Sequence, residues 1–256
     1  MKSVKIELSK HIKEVKIVTL SDLHIGEANC DMKAVKETID TILKDKSCYV
    51  ILNGDIMNNA TINGKSDSYA ELLSPMEQVK RAVELLTPIK DRIISADTGN
   101  HERRTYRDDG IDIMYFVMAE LGLTHLYSAE GNLVFIRFGH DSTHNRKLCY
   151  TLYHIHGTGG GREAGGKVKR LTDLSGIIDV DIYVHGHTHL PVTLKEGFFR
   201  VDRQNSTCSF VERLFVNTAA TLNYGGYAQL MGYKPAAITS PIIILSGAKK
   251  DAKALL

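Results

Sequence analysis

No stretch of the 256-residue chain approaches the roughly 18 consecutive apolar residues that a membrane-spanning helix requires, so a spanning helix is not expected. Cysteine is scarce. Cys30, Cys48, Cys149 and Cys208 lie far apart without a C-x-x-C pair, which argues against a disulfide framework and against a thiolate zinc site, and they read as reduced, mostly buried thiols. An excess of one charge is missing too: 32 Lys and Arg against 30 Asp and Glu leave a formal charge of +2, too little to argue for nucleic acid from net charge. Local basic clusters must carry that question. The first ten residues lack the apolar block and small-residue cleavage site of a secretory signal, which makes a cytoplasmic location the expectation.

Linkers and internal repeats are also absent, so one domain over residues 1–256 is expected, with 43% hydrophobic residues to build its core. Short apolar runs at 15–20, 49–52 and 93–94 alternate with helical patterns at 31–43, 75–86 and 111–121. That alternation predicts α/β packing. Further strands are expected at 133–138, 148–155, 182–184, 192–194, 198–201, 210–216 and 242–245, and the tail 247–256 reads as a frayed end.

Polar, metal-competent residues follow five of these strands. They are Ser21-Asp22-Leu23-His24, Asn53-Gly54-Asp55, Gly99-Asn100-His101-Glu102, His154-Ile155-His156-Gly157 and Gly186-His187-Thr188-His189. Each fragment alone reads as a cap, a turn or an ordinary histidine. Together they place functional groups at strand ends, where α/β folds build sites. Of eleven histidines, seven (His24, His101, His154, His156, His185, His187, His189) fall within or beside these segments. In extended chain, side chains two apart share a face, so Asp22 with His24, His154 with His156, and His187 with His189 are expected to point together.

The ordered set D-x-H, G-D, G-N-H-E, H-G and G-H-x-H over residues 22–189 resembles the calcineurin-like metallophosphoesterase superfamily. The resemblance implies an α/β fold of two mixed β-sheets packed as a sandwich flanked by helices, with two divalent metal ions at the strand ends activating water against a phosphate ester. One ion would take Asp22, His24 and His189, the other Asn100, His156 and His187, with Asp55 bridging them. His101 would face the substrate and protonate the leaving oxygen. His154 and His156 share a face and either could be the ligand; the resemblance favours His156, which is followed by Gly157. His185 alternates away and reads as a packed neighbour. Nitrogen and oxygen donors without thiolate suit manganese, iron, nickel or zinc, and the resemblance puts manganese first. Phosphatase branches carry Asp three places after the bridging Asp, as the partner of the catalytic histidine; here that residue is Asn58.

Residues 157–167 form a glycine-rich run that includes Gly160 and contains Arg162 and Lys167, with Lys169 and Arg170 just beyond. Backbone amides there could approach a phosphate closely, so Arg162 and Lys167 are candidate substrate-binding residues, as are Arg103 and Arg104 beside His101. The run, with 224–227 and 232–235, is similar to small phage and prophage metallophosphoesterases. That similarity implies a phosphodiesterase or nuclease acting on DNA, RNA or a nucleotide, with Tyr106, Tyr224, Tyr227 and Tyr233 as possible base-stacking residues. A phosphomonoesterase on a small substrate shares every ligand, and a metal-free scaffold is a third reading. Residues 58–74, rich in Asn, Gly and Ser, are expected to form a rim loop beside the site.

Overall fold

The computed structural model describes residues 1–64, 66–139, 148–159 and 161–256, with Tyr227 described by its backbone only. In chain order the elements are β1 (Lys2–Leu8), β2 (Glu14–Leu20), α1 (Met32–Lys44), β3 (Cys48–Asn53), α2 (Pro75–Leu86), β4 (Ile93–Asp97), α3 (Glu102–Asp109), α4 (Ile113–Glu120), β5 (Asn132–Phe138), β6 (Leu148–Ile155), α5 (Ala164–Thr172), β7 (Ile182–His185), β8 (Val192–Asp202), β9 (Thr207–Asn217), α6 (Gly226–Leu230), β10 (Ile242–Ser246) and β11 (Ala252–Leu255).

Two mixed sheets result, with strand orders β1-β5-β6-β7-β9-β8 and β11-β10-β2-β3-β4. The period of two along each strand decides what each face meets. Ile17, Ile51, Tyr150, Leu152, Ile182, Val184, Leu214 and Val216 point into the core between the sheets. Their neighbours point out. Val18, Leu20, Val50 and Leu52 pack with Val35, Ile39 and Ile42 of α1, Val79 and Ala82 of α2, and Met114 and Val117 of α4. On the far face, Tyr153, Tyr183 and Phe215 pack under Leu171 of α5. The sandwich flanked by helices follows from this three-part core. Among the described residues no helix is long and apolar enough to cross a membrane.

The helix starts are built by their sequences. Asp31 caps α1 by accepting Ala34 N–H at 3.0 Å, and α2 opens with Pro75 behind a Ser74–Glu77 capping box. Several expectations need correction. The two strands expected at 192–194 and 198–201 are one, because Gly197 stays in the ladder opposite Glu212. The ring of Phe210 occupies the space a Cβ there would take, 2.4 Å from the nearest ring atom. The tail does not fray: β11 pairs antiparallel with β10, and Ala252 and Ala254 pack against the inter-sheet core. The glycine-rich run ends in a helix, α5, anchored by buried Leu171; Gly160 lies outside the described residues. Of the cysteines only Cys48 is buried, Cys208 being exposed and the other two intermediate.

Candidate metal centre

β2, β3 and β4 run parallel, as do β6 and β7, so their carboxyl ends form one edge, and the five motifs leave the sheets there. Asp22, His24, Asp55, His187 and His189 all have positive φ, between 50° and 61°. Left-handed backbone is costly for these residue types and gathers at functional sites. The expected alternation of extended chain is therefore not what brings Asp22 beside His24 or His187 beside His189. At each of these residues the backbone is left-handed instead of extended. The turned loops are tied to one another: Asp22 N–H donates to Gly54 O and His24 N–H to Asp55 O, both at 3.0 Å.

Three groups of donor atoms lie within 4.8 Å of one another: Asp22, His24 and His189; His24, Asp55 and His101; and Asp55, His156 and His187. His189 Nε2 is 3.1 Å from Asp22 Oδ1, and His156 Nε2 is 3.1 Å from Asp55 Oδ2 and 3.2 Å from Asn100 Oδ1. Asp55 takes part in two of the groups, which suits a bridge. His156 Nδ1 meets the carbonyl oxygen of Asn53 at 2.8 Å; a carbonyl only accepts, so this nitrogen carries the proton and Nε2 is left to face the cluster. Gly99 allows the loops to close up, since a Cβ there would lie 2.0 Å from Asp55 Oδ1. Oxygen and imidazole donors, converging without thiolate and most of them buried, fit divalent cations.

The electrostatics reflect the crowding. Burial alone would raise the carboxyl pKa of Asp22, and His156 and His189 outweigh it, holding the group low. Asp55 is likewise held well below the usual carboxylate range, with burial opposed by His156 and His101. Burial opposes charge on His156, but Asp55 and Asp22 raise its pKa well above the ordinary value. His24 is pushed well down by burial and by His101, and His187 to about 4 by burial and by His156. His156 thus supplies positive charge where two buried carboxylates meet.

The other sequence candidates are placed as follows. His101 donates Nδ1–H to Asn58 O at 2.7 Å and accepts from Arg104 Nη2 at 2.9 Å through Nε2, which makes it a neutral imidazole; Nε2 stands 3.8 Å from Asp55 Oδ2. Its pKa is lowered, first by burial and then by Arg104 against the opposing pull of Asp55. Arg104 is buried and bonded to Asn58 O at 3.1 Å, so it reaches the cluster through His101. Arg103 is exposed and turned away, donating to Ala129 O at 3.3 Å. Arg162 donates to Met231 O at 2.8 Å and lies 5.9 Å over the Tyr233 ring. Lys167 sits half-buried on α5. Neither Arg162 nor Lys167 touches the donor groups.

His154 is fully buried beneath the cluster, 2.7 Å from Ser95 Oγ and 3.3 Å from Asp97 Oδ2, so His156 is the member of that pair that joins the cluster. His185 is buried and pairs with Asn217 Oδ1 at 2.9 Å. Sequence reasoning quoted Glu102 without giving it a role. Its buried carboxylate accepts from the backbone of Asp55 at 3.0 Å, Met57 at 2.9 Å and Gly99 at 2.9 Å, clipping two of the loops together. Burial and then Asp55 push its pKa up to about 7, against the Met57 bond. Its place as the last residue of Gly99-Asn100-His101-Glu102 was the available signal.

A model of the calcineurin-like phosphoesterase family matches residues 15–191. No curated protein matches the sequence. Among solved structures, a predicted phosphoesterase from Streptococcus pneumoniae is similar at 13% identity and a TM-score of 0.38, covering 95% of this chain and 98% of that one. A single mutant of Vps29 from Entamoeba histolytica is similar at 12% identity and 0.42, covering 94% and 100%. Wild-type Vps29 complexed with zinc, from the same organism, gives 13% and 0.40, covering 94% and 97%. The family match spans more than half the chain and all five motifs, so the chain belongs to the calcineurin-like phosphoesterase family and is a metal-dependent phosphoesterase.

Proposed function

We propose that the protein is a dinuclear phosphodiesterase that hydrolyses a phosphodiester of nucleic acid or a nucleotide. The observation that carries this reading is the convergence of two donor groups, Asp22/His24/His189 and Asp55/His156/His187, beside His101. The first group would hold one ion and the second the other, with Asn100 added to the second and Asp55 between the two. Manganese is the first choice, and iron, nickel or zinc suit the same donors. Such ions would supply charge that polarises the phosphoryl group and acidifies water.

The chain's own residues do the rest. The Nδ1–H bond to Asn58 O orients His101 so that Nε2 faces the reacting region. Protonation of the leaving oxygen from Nε2 requires Arg104 to release that nitrogen and His101 then to take up a proton there from solvent, and the freed guanidinium can donate to a phosphoryl oxygen. The diester preference rests on an open surface. Asn100 is exposed, and His187 and His189 are only half-buried, which leaves room for substrate on both sides of the phosphorus. Exposed Tyr106 and Tyr224 lie on segments tied to the cluster, α3 directly after His101 and a loop in which Thr221 N–H donates to Asp22 O at 3.0 Å. They suit base stacking.

One observation favours a phosphomonoesterase instead: the buried cation Arg104 at His101 suits the dianionic phosphate of a monoester. Hydrolysis of bis-p-nitrophenyl phosphate against p-nitrophenyl phosphate separates the two. Metal-stripped protein reloaded with manganese is expected to prefer the diester, with Asp55→Ala inactive on both; a monoester preference would move the second reading ahead.

A further inference from the structure

Asn58 stands where phosphatase branches have Asp, and its side chain does not turn to His101. Its Oδ1 lies 3.2 Å from His24 Nδ1, while Nδ2 donates to Glu27 Oε2 at 3.2 Å and to Glu71 Oε1. An amide nitrogen has two hydrogens and two carboxylates take them, so the side chain is held with oxygen towards His24. His24 Nδ1 must then carry the proton and donate it. Nε2 is left with its lone pair facing the Asp22 and His189 group.

Glu71 belongs to the segment between β3 and α2, and that segment is fixed to the core through Gln78. The Gln78 side chain, fully buried, donates to Glu71 Oε2 and, at 2.8 Å, to Leu73 O. Its oxygen accepts Asn59 N–H at 2.8 Å, and Asn59 Nδ2 donates to His101 O at 2.8 Å. Leu72 N–H closes on Gly26 O at 2.9 Å. The carboxylate of Glu71 is thus held in place from behind, and every polar atom of the Asn58 amide is used.

We infer that Glu71, acting through Asn58, is a positioning residue that fixes the tautomer of His24 and so sets the affinity of the ion held by Asp22, His24 and His189. The inference rests on the two-ion reading given above. It explains Asn58 in chemical terms: Asp at this position would put a third carboxylate against Glu27 and Glu71, with no hydrogen to give either. Outer partners of a ligating histidine typically account for about 10- to 100-fold in metal affinity.

The test is calorimetric titration of metal-stripped full-length protein with manganese, alongside thermal unfolding. Glu71→Ala is expected to weaken one of two manganese affinities by about 10-fold or more and leave the other within about threefold. Glu71→Gln, which keeps an acceptor oxygen for Asn58, is expected to recover most of the loss, and Asn58→Asp to reproduce it. Wild-type affinity at both sites in Glu71→Ala would overturn the role of Glu71 while leaving the two-ion reading intact. Equal weakening at both sites with a lowered melting temperature would also overturn it, as a general loosening of the fold. A wild-type protein that takes up fewer than two ions would overturn the two-ion reading and this inference with it.

Discussion

The backbone N–H of Asp55 donates to the carboxylate of Glu102 at 3.0 Å, and this bond sets the position of the residue that groups with His24 on one side and with His156 and His187 on the other. The same carboxylate holds Gly99 and Met57, so the loops after β3 and β4 are fastened to one another. Asp55 itself receives His101 N–H at 2.8 Å on Oδ1, which leaves Oδ2 for His156.

Replacing Glu102 by Ala leaves three buried N–H groups without acceptors, at about 1–3 kcal/mol each. The Glu102→Ala protein is expected to lose about 3 kcal/mol or more of unfolding free energy, measured by urea denaturation. Glu102→Gln keeps an oxygen where two of the three N–H groups converge, and is expected to lose less. Equal stability for Ala and wild type would show that the clip carries no weight.

His101 touches the cluster and is bonded on both nitrogens by groups that are not donors of the two sites, Asn58 O and Arg104. His101→Ala is therefore expected to keep both manganese ions and to lose about 100-fold or more in turnover, the scale of general acid catalysis. Loss of metal in this variant, by elemental analysis, would reassign His101 as a ligand.

Much of this centre was legible in the order of short motifs at strand ends, because strand ends are where an α/β sheet leaves side chains free to converge. The seven expected donors Asp22, His24, Asp55, Asn100, His156, His187 and His189 do come together. The physical cause was not legible: the left-handed turns at five of them cannot be read from residue types that normally avoid that region. Nor could the sequence show that Arg103 turns outward while Arg104 turns in, since neighbours on a helix differ by about 100° and nothing local says which side is buried. β1 was missed because its partner, β5, lies far along the chain, and β11 because it is only a four-residue strand.

Metal uptake is expected to depend on pH with a definite sign. The pKa of His156 is raised well above its ordinary value by Asp55 and Asp22, so below the raised pKa a proton sits on Nε2, the nitrogen that would bind the ion. That proton must leave. Affinity at this site is expected to rise with pH by about tenfold per unit until the raised pKa is passed, with net proton release on binding at neutral pH. Titration calorimetry in buffers of different ionisation enthalpy measures the release, and no release at pH 7 would remove His156 from the ligand set.

The most direct test of the two-ion account is manganese stoichiometry in the metal-stripped chain and in Asp55→Ala. Two ions per wild-type chain, with binding abolished at both sites in the variant, is the result expected when Asp55 lies between two donor groups. A single ion in the wild type, or two ions retained by Asp55→Ala, would contradict it.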